Sequence, residues 1–399
     1  MALNTVSSDR LSTNVKNTNF TSAEKQDLTD DIKPLLGSSG GGSKNKIING
    51  AMLVAQRGTS STISGYGTVD RSALVHAGVD EAPTQEQADV AAGTSPYTNG
   101  FRKCFKITNG NQTSGAGAAD FIWYRYKIEA QDLANSGWNY TSSSSNITLS
   151  FWIKSSVAQT FKGYLKTLDG TQYGYPFETG SLTADTWTKV TKIIPGNSNL
   201  TFDNNNDQGM QINILGFMGT DYTDNSVTED AWSTYGGAVR TKDQTSTWYT
   251  TNNATLEITG LQLEVGNVAT DFDHRTFGQE LALCQRYYYA PFPLNSATTA
   301  LCVNGPYTTS QSFGVIQFPT TMRAVPSGDI TMSSSYITLY TPEATSGRAC
   351  STLQVQELTK NSSRLYFTGY ASNFGDAKGG AGYAMVANNS FKLAFDAEL

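Results

Sequence analysis

Residues 261–289 read LQLEVGNVATDFDHRTFGQELALCQRYYY, and a change of hydrophobic period within this stretch divides the chain. Leu261, Leu263 and Val265 alternate with Gln262, Glu264 and Gly266, the period of two that a strand shows when one face is buried. Beyond Gly278 no Gly or Pro interrupts the chain as far as Tyr289, and Leu281, Cys284 and Tyr288 recur at i, i+3 and i+7. That spacing gathers them on one helical face. The stretch therefore predicts a strand, a polar turn and a short connecting helix over 277–289, with a β-rich part on either side.

Working outward, residues 46–276 read as one all-β domain. Strands are expected at Phe121 to Ile128, Ile147 to Ser155, Thr186 to Ile194, Gln211 to Met218 and Thr255 to Val265, each bounded by Gly, Asn, Ser or Pro. In Ile147 to Ser155, alternation turns Ile147, Leu149, Phe151 and Ile153 inward and Thr148, Ser150, Trp152 and Lys154 outward. Trp152 is the exception on a polar face, either packed beneath a loop or a neighbouring subunit or offered to a ligand. Residues 290–399 form a smaller β unit, with strands expected at Leu301 to Val303, Ser312 to Phe318, Tyr336 to Tyr340, Leu353 to Leu358, Arg364 to Tyr370 and Phe391 to Phe395. No repeat of fixed period points to a propeller or solenoid.

Residues 1–45 are a polar leader. Thr21 and Glu24 have the spacing of a capping box, Leu28, Ile32 and Leu35 fall on one helical face, and Pro34 marks the stop. A stripe of three apolar residues makes no core, so such a helix needs cover from sister chains or a docking protein. GSSGGGS at 37–43 is a flexible linker that separates the leader mechanically.

Composition fits this division. The chain has 399 residues, enough for two or three domains; charged residues are only 16%, aromatics reach 11%, and Ser, Thr, Asn and Gly are abundant. The net charge of −6, without a basic block, gives no electrostatic basis for binding nucleic acid. The N-terminal residues do not read as a basic-then-apolar signal peptide and no apolar run reaches transmembrane length, so no targeting segment is expected. Cys104, Cys284, Cys302 and Cys350 form no CxxC pair, which leaves buried free thiols or a disulfide that spacing cannot pair.

Catalytic patterns are missing from the sequence. With only His76 and His274, and without HExxH, GxSxG or a P-loop, hydrolytic and phosphoryl-transfer chemistry have no recognisable seat, and the protein is expected not to be an enzyme and to need no cofactor. His274, between Asp273 and Arg275, is expected to be structural. Glycoside hydrolysis needs two carboxylates within about 10 Å. Glu257 and Glu264 share a strand, but their odd separation puts them on opposite faces unless Gly260 makes a bulge. The DNNND run at Asp203 to Asp207 is either a solvated turn or a source of oxygen ligands for Ca²⁺, and it lacks EF-hand spacing. Asn139 and Asn146 open Asn-x-Ser/Thr triplets of the kind chance produces in so Asn- and Thr-rich a chain.

Binding has more candidates. Sugar rings present an apolar face and a hydroxyl rim, so their sites pair exposed aromatics with amide, carboxylate and hydroxyl side chains. Residues 221–253 read as a long loop that offers Tyr222, Trp232, Tyr235, Trp248 and Tyr249 among Asp, Asn, Thr and Ser. Those aromatics either pack the loop onto its own domain or a neighbour, or meet a ligand. The last unit offers Tyr366, Tyr370, Phe374 and Tyr383 in Gly-rich surroundings.

Three stretches carry a resemblance: the opening run 261–289, KIINGAMLVAQRGTS at 46–60 and FPTTMRAVPSG at 318–328. Together they resemble virion structural proteins of tailed bacteriophages, tail fibres above all, of the marine and cyanobacterial phage type. NITLSFWIKSS (146–156), TWTKVTKIIPG (186–196) and ATLEITGLQLEVG (254–266) resemble, in pattern, the jelly-roll sandwich of carbohydrate-binding modules. The resemblance implies a homotrimeric fibre in the virion, synthesised in the host cytoplasm. Leu28, Ile32 and Leu35 would dock it on another virion protein, and Leu281, Cys284 and Tyr288 would pack about the threefold axis. The 290–399 unit would meet a host surface glycan or receptor without membrane insertion. A capsid decoration or head fibre protein is the alternative, followed by a carbohydrate-binding module or a polysaccharide-degrading tailspike.

Overall fold

The structure is a computed structural model that describes residues 44–292, 299–308, 310–340, 347–369 and 381–399. The leader positions Leu28, Ile32 and Leu35, the 37–43 linker, and Tyr370 and Phe374 lie outside the described residues.

The chain is all-β. Its first twelve strands are β1 (Ser60–Ser61), β2 (Ser72–Ala77), β3 (Thr84–Asp89), β4 (Lys103–Thr108), β5 (Phe121–Glu129), β6 (Asn146–Ser155), β7 (Thr160–Thr167), β8 (Tyr173–Ser181), β9 (Thr188–Pro195), β10 (Gln208–Met218), β11 (Ser233–Thr234) and β12 (Thr255–Val265). They form two antiparallel six-stranded sheets, ordered β1-β3-β4-β12-β6-β9 and β11-β8-β7-β10-β5-β2. From β4 to β7 the chain changes sheet at every step, and it does so again between β8, β9 and β10, as in a jelly-roll sandwich. The inner faces share one core, where Ile147, Leu149, Phe151 and Ile153 meet Tyr124, Tyr126, Ile212 and Ile214. The buried tyrosines keep their hydroxyls bonded: Tyr126 Oη accepts from the Ile48 amide at 2.8 Å, and Tyr124 Oη lies 3.0 Å from Ser72 Oγ.

Gly260 sets the phase of β12. Thr259 pairs with Trp152 and Gln262 with Ser150, so two residues of β12 oppose one of β6. The bulge has Gly260 at φ +63°, a region that favours glycine. It turns Leu256 and Ile258 before it, and Leu261 and Leu263 after it, toward the same core, all four fully buried. The outward face of β12 is not solvated as its alternation suggests. Gln262 and Glu264 are buried, as are Thr148 and Ser150 on β6. Residues 44–50 and 266–274 lie over this end and answer those polar groups. Glu264 accepts from the Thr270 amide at 2.9 Å and its hydroxyl at 2.6 Å, and Gln262 Oε1 accepts from the Asp273 amide at 2.8 Å.

Four short helices interrupt the strands described: α1 (Ser95–Thr98), α2 (Ala130–Ala134), α3 (Thr247–Thr250) and α4 (Phe277–Gln285). Thr276 caps α4 in a capping box with Gln279. The helix ends before the tyrosines, where the expected helix continued to Tyr289. Tyr288–Tyr289 is instead strand β13, because an aromatic run suits a pleated surface and here pairs with Asp396 and Phe395.

The remaining strands are β14 (Thr299–Thr308), β15 (Gln311–Gln317), β16 (Ser327–Thr331), β17 (Ile337–Tyr340), β18 (Arg348–Cys350), β19 (Thr352–Gln356), β20 (Ser362–Thr368), β21 (Gly382–Val386) and β22 (Lys392–Asp396). A seven-stranded sheet, β18-β17-β21-β14-β15-β20-β19, packs on a three-stranded one, β13-β22-β16, around Ile337, Leu339, Leu365, Phe367, Leu393 and Phe395.

Polar and ionic contacts join the two sandwiches. Arg286 reaches Glu129 from Nε at 3.0 Å and Nη2 at 2.8 Å, and Tyr287 donates to the same carboxylate. Arg57 lies 3.0 Å from Asp396 and 3.4 Å from Glu398, which also pairs with the buried Arg71. The guanidinium groups of Arg57 and Arg71 cover the rings of Tyr288 and Tyr287 at 3.6 and 3.5 Å. Arg323 spans the joint, donating to Asn206 O at 2.8 Å and to Ala397 O at 2.8 Å.

Candidate functional site

The face of the seven-stranded sheet turned away from its core is aromatic and open to solvent. Strand pairing places its members. Tyr340 opposes Tyr383, and Tyr383 opposes Val303; one strand further on, Val315 opposes Arg364 and Phe313 opposes Tyr366. Residues directly opposite in an antiparallel pair share a face, so all of these point outward together. Their neighbours Leu339, Ala384, Ser312, Leu365 and Phe367 point inward and are buried.

Val303 is 71% exposed, Tyr307 65%, Val315 56% and Tyr383 45%, values that no packed sheet face would show. The rings are ordered among themselves. Tyr340 stacks on Tyr383 at 4.8 Å and Phe313 on Tyr366 at 5.0 Å, while Tyr307 leans on Phe313 at 5.2 Å. Arg364 covers Phe313 at 4.5 Å and donates to Gln356 at 2.9 Å, and Gln356 donates to Gln354 at 3.1 Å. The result is a platform of ring faces with an amide and guanidinium border.

Two of the expected binding residues, Tyr366 and Tyr383, are thus on one face. Sequence reading passed over Tyr307, Phe313 and Tyr340. Their signal was alternation: Val303-x-Gly305-x-Tyr307 and Phe313-x-Val315 run against the buried Asn304, Ser312 and Ile316.

The aromatics of residues 221–253 separate. Trp248 and Tyr249 are completely buried, so the expectation that they meet a ligand is corrected. The turn of α3 tucks both into the jelly-roll core, where Trp248 Nε1 donates to Thr255 O at 3.0 Å and Tyr249 Oη donates to Asp120 at 3.0 Å. Gly216 makes room for the indole, since a Cβ there would come within 2.7 Å of the Trp248 ring. Their polar sequence neighbours concealed this because those neighbours cap backbone groups. Trp232 is half-buried against Tyr175 at 5.2 Å, with its Nε1 committed to Pro195 O at 2.7 Å. Tyr235 lies over Tyr164 on the outer face of the β11-β8-β7-β10-β5-β2 sheet.

A cleft of about 420 Å³ lies beside Gly260, between Trp152, Phe101, Phe272 and His274, with Lys189, Gln262 and Asp271 on its border. Trp152 is half-buried here, packed against Phe101 and its neighbours. His274 Nε2 is 2.9 Å from Asn99 O, and its ring packs against both Phe101 and Phe272, at 5.1 and 4.8 Å, which also touch each other at 4.8 Å.

The Gly260 bulge does put Glu257 and Glu264 on one face. Their partners Lys154 and Thr148 are six residues apart on β6, which separates the carboxylates by about 20 Å, beyond the reach of paired glycosidase carboxyls. Glu257 is held by Lys154 at 3.0 Å. The DNNND turn is occupied structurally: the Asp203 amide donates to Asp169, and Asn206 and Asp207 accept from Arg323 and Ala130. Among the described residues no group of three His, Cys, Asp or Glu is placed to hold a metal ion. All four cysteines are free.

The expected threefold contact of Leu281, Cys284 and Tyr288 is also corrected. Cys284 is completely buried and Tyr288 nearly so, both within their own chain, because α4 turns that side onto the jelly roll and β13 joins the second sandwich. Leu281 is half-buried beside Gln56, Gly58 and Phe292. No helix among the described residues is long and apolar enough to cross a membrane.

No protein-family model matches the chain, and no curated protein matches it in sequence. Solved structures similar to parts of it include the enzymatically active domain of tailspike protein 4 of bacteriophage CBA120. That likeness is at 10% identity and a TM-score of 0.28, over 56% of this chain and 22% of that one. Others are carbohydrate-binding modules. The N-terminal CBM22-1–CBM22-2 tandem domain from Paenibacillus barcinonensis Xyn10C is 8% identical at a TM-score of 0.27, over 91% of this chain and 100% of that one. The family 11 carbohydrate-binding module from Clostridium thermocellum is 9% identical at a TM-score of 0.23, over 52% of this chain and 95% of that one. The solved structures similar to this all-β chain thus include a phage tailspike domain and carbohydrate-binding modules.

Proposed function

We propose that this protein is a structural component of a tailed-phage virion, a tail fibre whose work is adhesion and not turnover. Its adhesive surface is the outer face of the seven-stranded sheet, and its ligand is a glycan of the host surface. The observation that carries this reading is the set of Val303, Tyr307, Val315 and Tyr383, large apolar side chains left in water together on one sheet. A contiguous patch of this kind costs solubility and is a mark of an interaction surface. Its stacked rings suit the apolar faces of sugars, and the border of Gln354, Gln356 and Arg364 supplies bonds for hydroxyls. The likeness of the 46–60, 261–289 and 318–328 stretches to virion proteins supports the placement in a phage particle. Residues 1–36 dock the fibre on the particle. A threefold assembly, which the same likeness implies, uses surfaces other than Cys284 and Tyr288, since both are occupied within the chain.

The test is to incubate the purified protein with surface polysaccharide of cells that the virus infects, scoring both retention and reducing ends. Retention without new reducing ends is the expected result. Release of reducing ends defeats pure adhesion, and absence of retention defeats the glycan assignment. Antibody labelling of purified virions is expected at the tail, and label confined to the capsid overturns the fibre assignment.

A further inference from the structure

The jelly roll carries a second surface that the adhesive platform does not use. On the outer face of the β11-β8-β7-β10-β5-β2 sheet, Arg125, Asn213 and Tyr164 lie side by side across three strands, and Lys166 pairs with Gln211 on the adjacent rung. Trp123, opposite Leu215, lies on the rung to the other side. Arg125 and Lys166 are two strands apart and one rung offset, about 12 Å at the backbone. The loop after β10 adds Tyr222, Tyr235 and Arg240 above this face.

The side chains converge. The guanidinium groups of both Arg125 and Arg240 lie over the Trp123 ring, at 5.2 and 5.7 Å, and Arg240 also covers Tyr222 at 4.6 Å. The Lys166 ammonium sits 4.1 Å from the centre of Tyr235, which stacks toward Tyr164 at 6.2 Å. Arg125 Nε donates to the fully buried Asn213 at 3.0 Å.

What this surface lacks is a counter-charge. Elsewhere in the sandwich several cations meet carboxylates: Lys162 and Lys242 meet Glu229, Lys192 meets Asp230, and Lys154 meets Glu257. Among the described residues no carboxylate lies within the 4.0 Å ion-pair distance of Arg125, Lys166 or Arg240. Two donors there are also buried without a partner, Trp123 Nε1 and Arg240 Nε. Burial, and then the charges of Arg240 and Arg125, hold the Lys166 ammonium below its ordinary value. Ring quadrupoles offset part of the repulsion, but three half-buried cations held together are stabilised further by an anion. In a chain of net charge −6 such a patch is no by-product of composition.

We infer that this face binds an acidic glycan, a polysaccharide bearing carboxylate or sulfate groups, with Arg125, Lys166 and Arg240 meeting the anions and Tyr235 and Tyr222 the sugar rings. The combination of charge with ring faces selects sugar over a simple anion. Three cations on an acidic protein are few for nucleic acid, which rewards an extended basic surface. The site is separate from the seven-stranded sheet and does not depend on the function proposed for it.

Affinity electrophoresis of the full chain tests this in gels containing polygalacturonate, dextran sulfate or uncharged dextran. Retardation by polygalacturonate, dextran sulfate or both, and not by dextran, is expected, and the pattern tells carboxylate from sulfate recognition. Lys166→Gln and Arg240→Gln are each expected to weaken retention about tenfold, the worth of one charged hydrogen bond. Arg240→Lys keeps the charge and loses less. Lys360→Gln, an exposed cation of the second sandwich outside both surfaces, leaves retention unchanged, which separates this site from the charge of the chain as a whole. Failure of both polyanions, equal retardation by dextran, or unchanged retention in folded Lys166→Gln overturns the site. Stronger retardation by oligodeoxythymidylate than by either polysaccharide overturns the assignment to glycan.

Discussion

Arg286 grips Glu129 through two parallel bonds, at 3.0 Å from Nε and 2.8 Å from Nη2, and so ties the chain leaving α4 to the last residue of β5. The Glu129 side chain is fully buried while Arg286 is partly exposed, so this bidentate pair is the polar anchor of the joint between the sandwiches.

Burial alone would raise the Glu129 carboxyl, but the bonds from Arg286 and Tyr287 outweigh it and hold the group below its ordinary value. A lowered carboxyl contributes stability above its unfolded pKa of about 4.3 and loses it as pH falls through the folded value. Thermal melts of wild type and Glu129→Gln are expected to differ most at neutral pH and to converge below about pH 4. At pH 7 the substitution is expected to cost about 3 kcal/mol, the usual result of removing one partner of a buried pair. A gap that is constant with pH contradicts this role.

Gly260→Ala is expected to destabilise the jelly roll by about 1–3 kcal/mol in urea unfolding. The residue needs φ +63°, and a Cβ there would approach the Phe101 ring at 2.7 Å and Trp152 at 3.1 Å. Unchanged stability would show that the bulge is not what sets the phase of β12.

Trp248→Ala and Tyr383→Ala are expected to behave oppositely although both are aromatic. Removing the fully buried indole costs about 3–5 kcal/mol, whereas truncating the exposed Tyr383 stays within about 0.5 kcal/mol. Equal losses in chemical denaturation would contradict the division between core and platform.

Thiol titration is expected to find native cysteines nearly inert and four reactive after denaturation. Burial raises the Cys284 thiol well above its ordinary value and pushes Cys302 up to about 12, so neither presents thiolate at neutral pH. Rapid native labelling at Cys284 would contradict the packing of α4.

Much of the first sandwich was legible in the sequence because alternate residues of strands such as β6 face the core. The reading of Thr255 to Val265 matches β12 at both ends, and Phe121 to Ile128 falls one residue short of β5. Polar strands escaped it: β3, TQEQAD, has no apolar face of its own, and its place is given by pairing with β4. Gln262 and Glu264 read as solvated because the segments that cover them are distant in sequence or turn back only through hydrogen bonds. Trp248 and Tyr249 misled for the same reason, as polar neighbours describe a loop's surface and not where its rings insert. Tyr366 and Tyr383 could be singled out as candidates, but their shared face follows from the order of β21, β14, β15 and β20, which one-dimensional periodicity does not supply.

The most direct measurement of the proposed adhesion is the adsorption of purified wild-type protein and of Tyr366→Ala/Tyr383→Ala to cells of the proposed host. The double variant is expected to melt with the wild type and to bind at least about tenfold more weakly, as loss of two central aromatic contacts implies. Undiminished adsorption by that folded variant would contradict the outer face of the seven-stranded sheet as the adhesive surface.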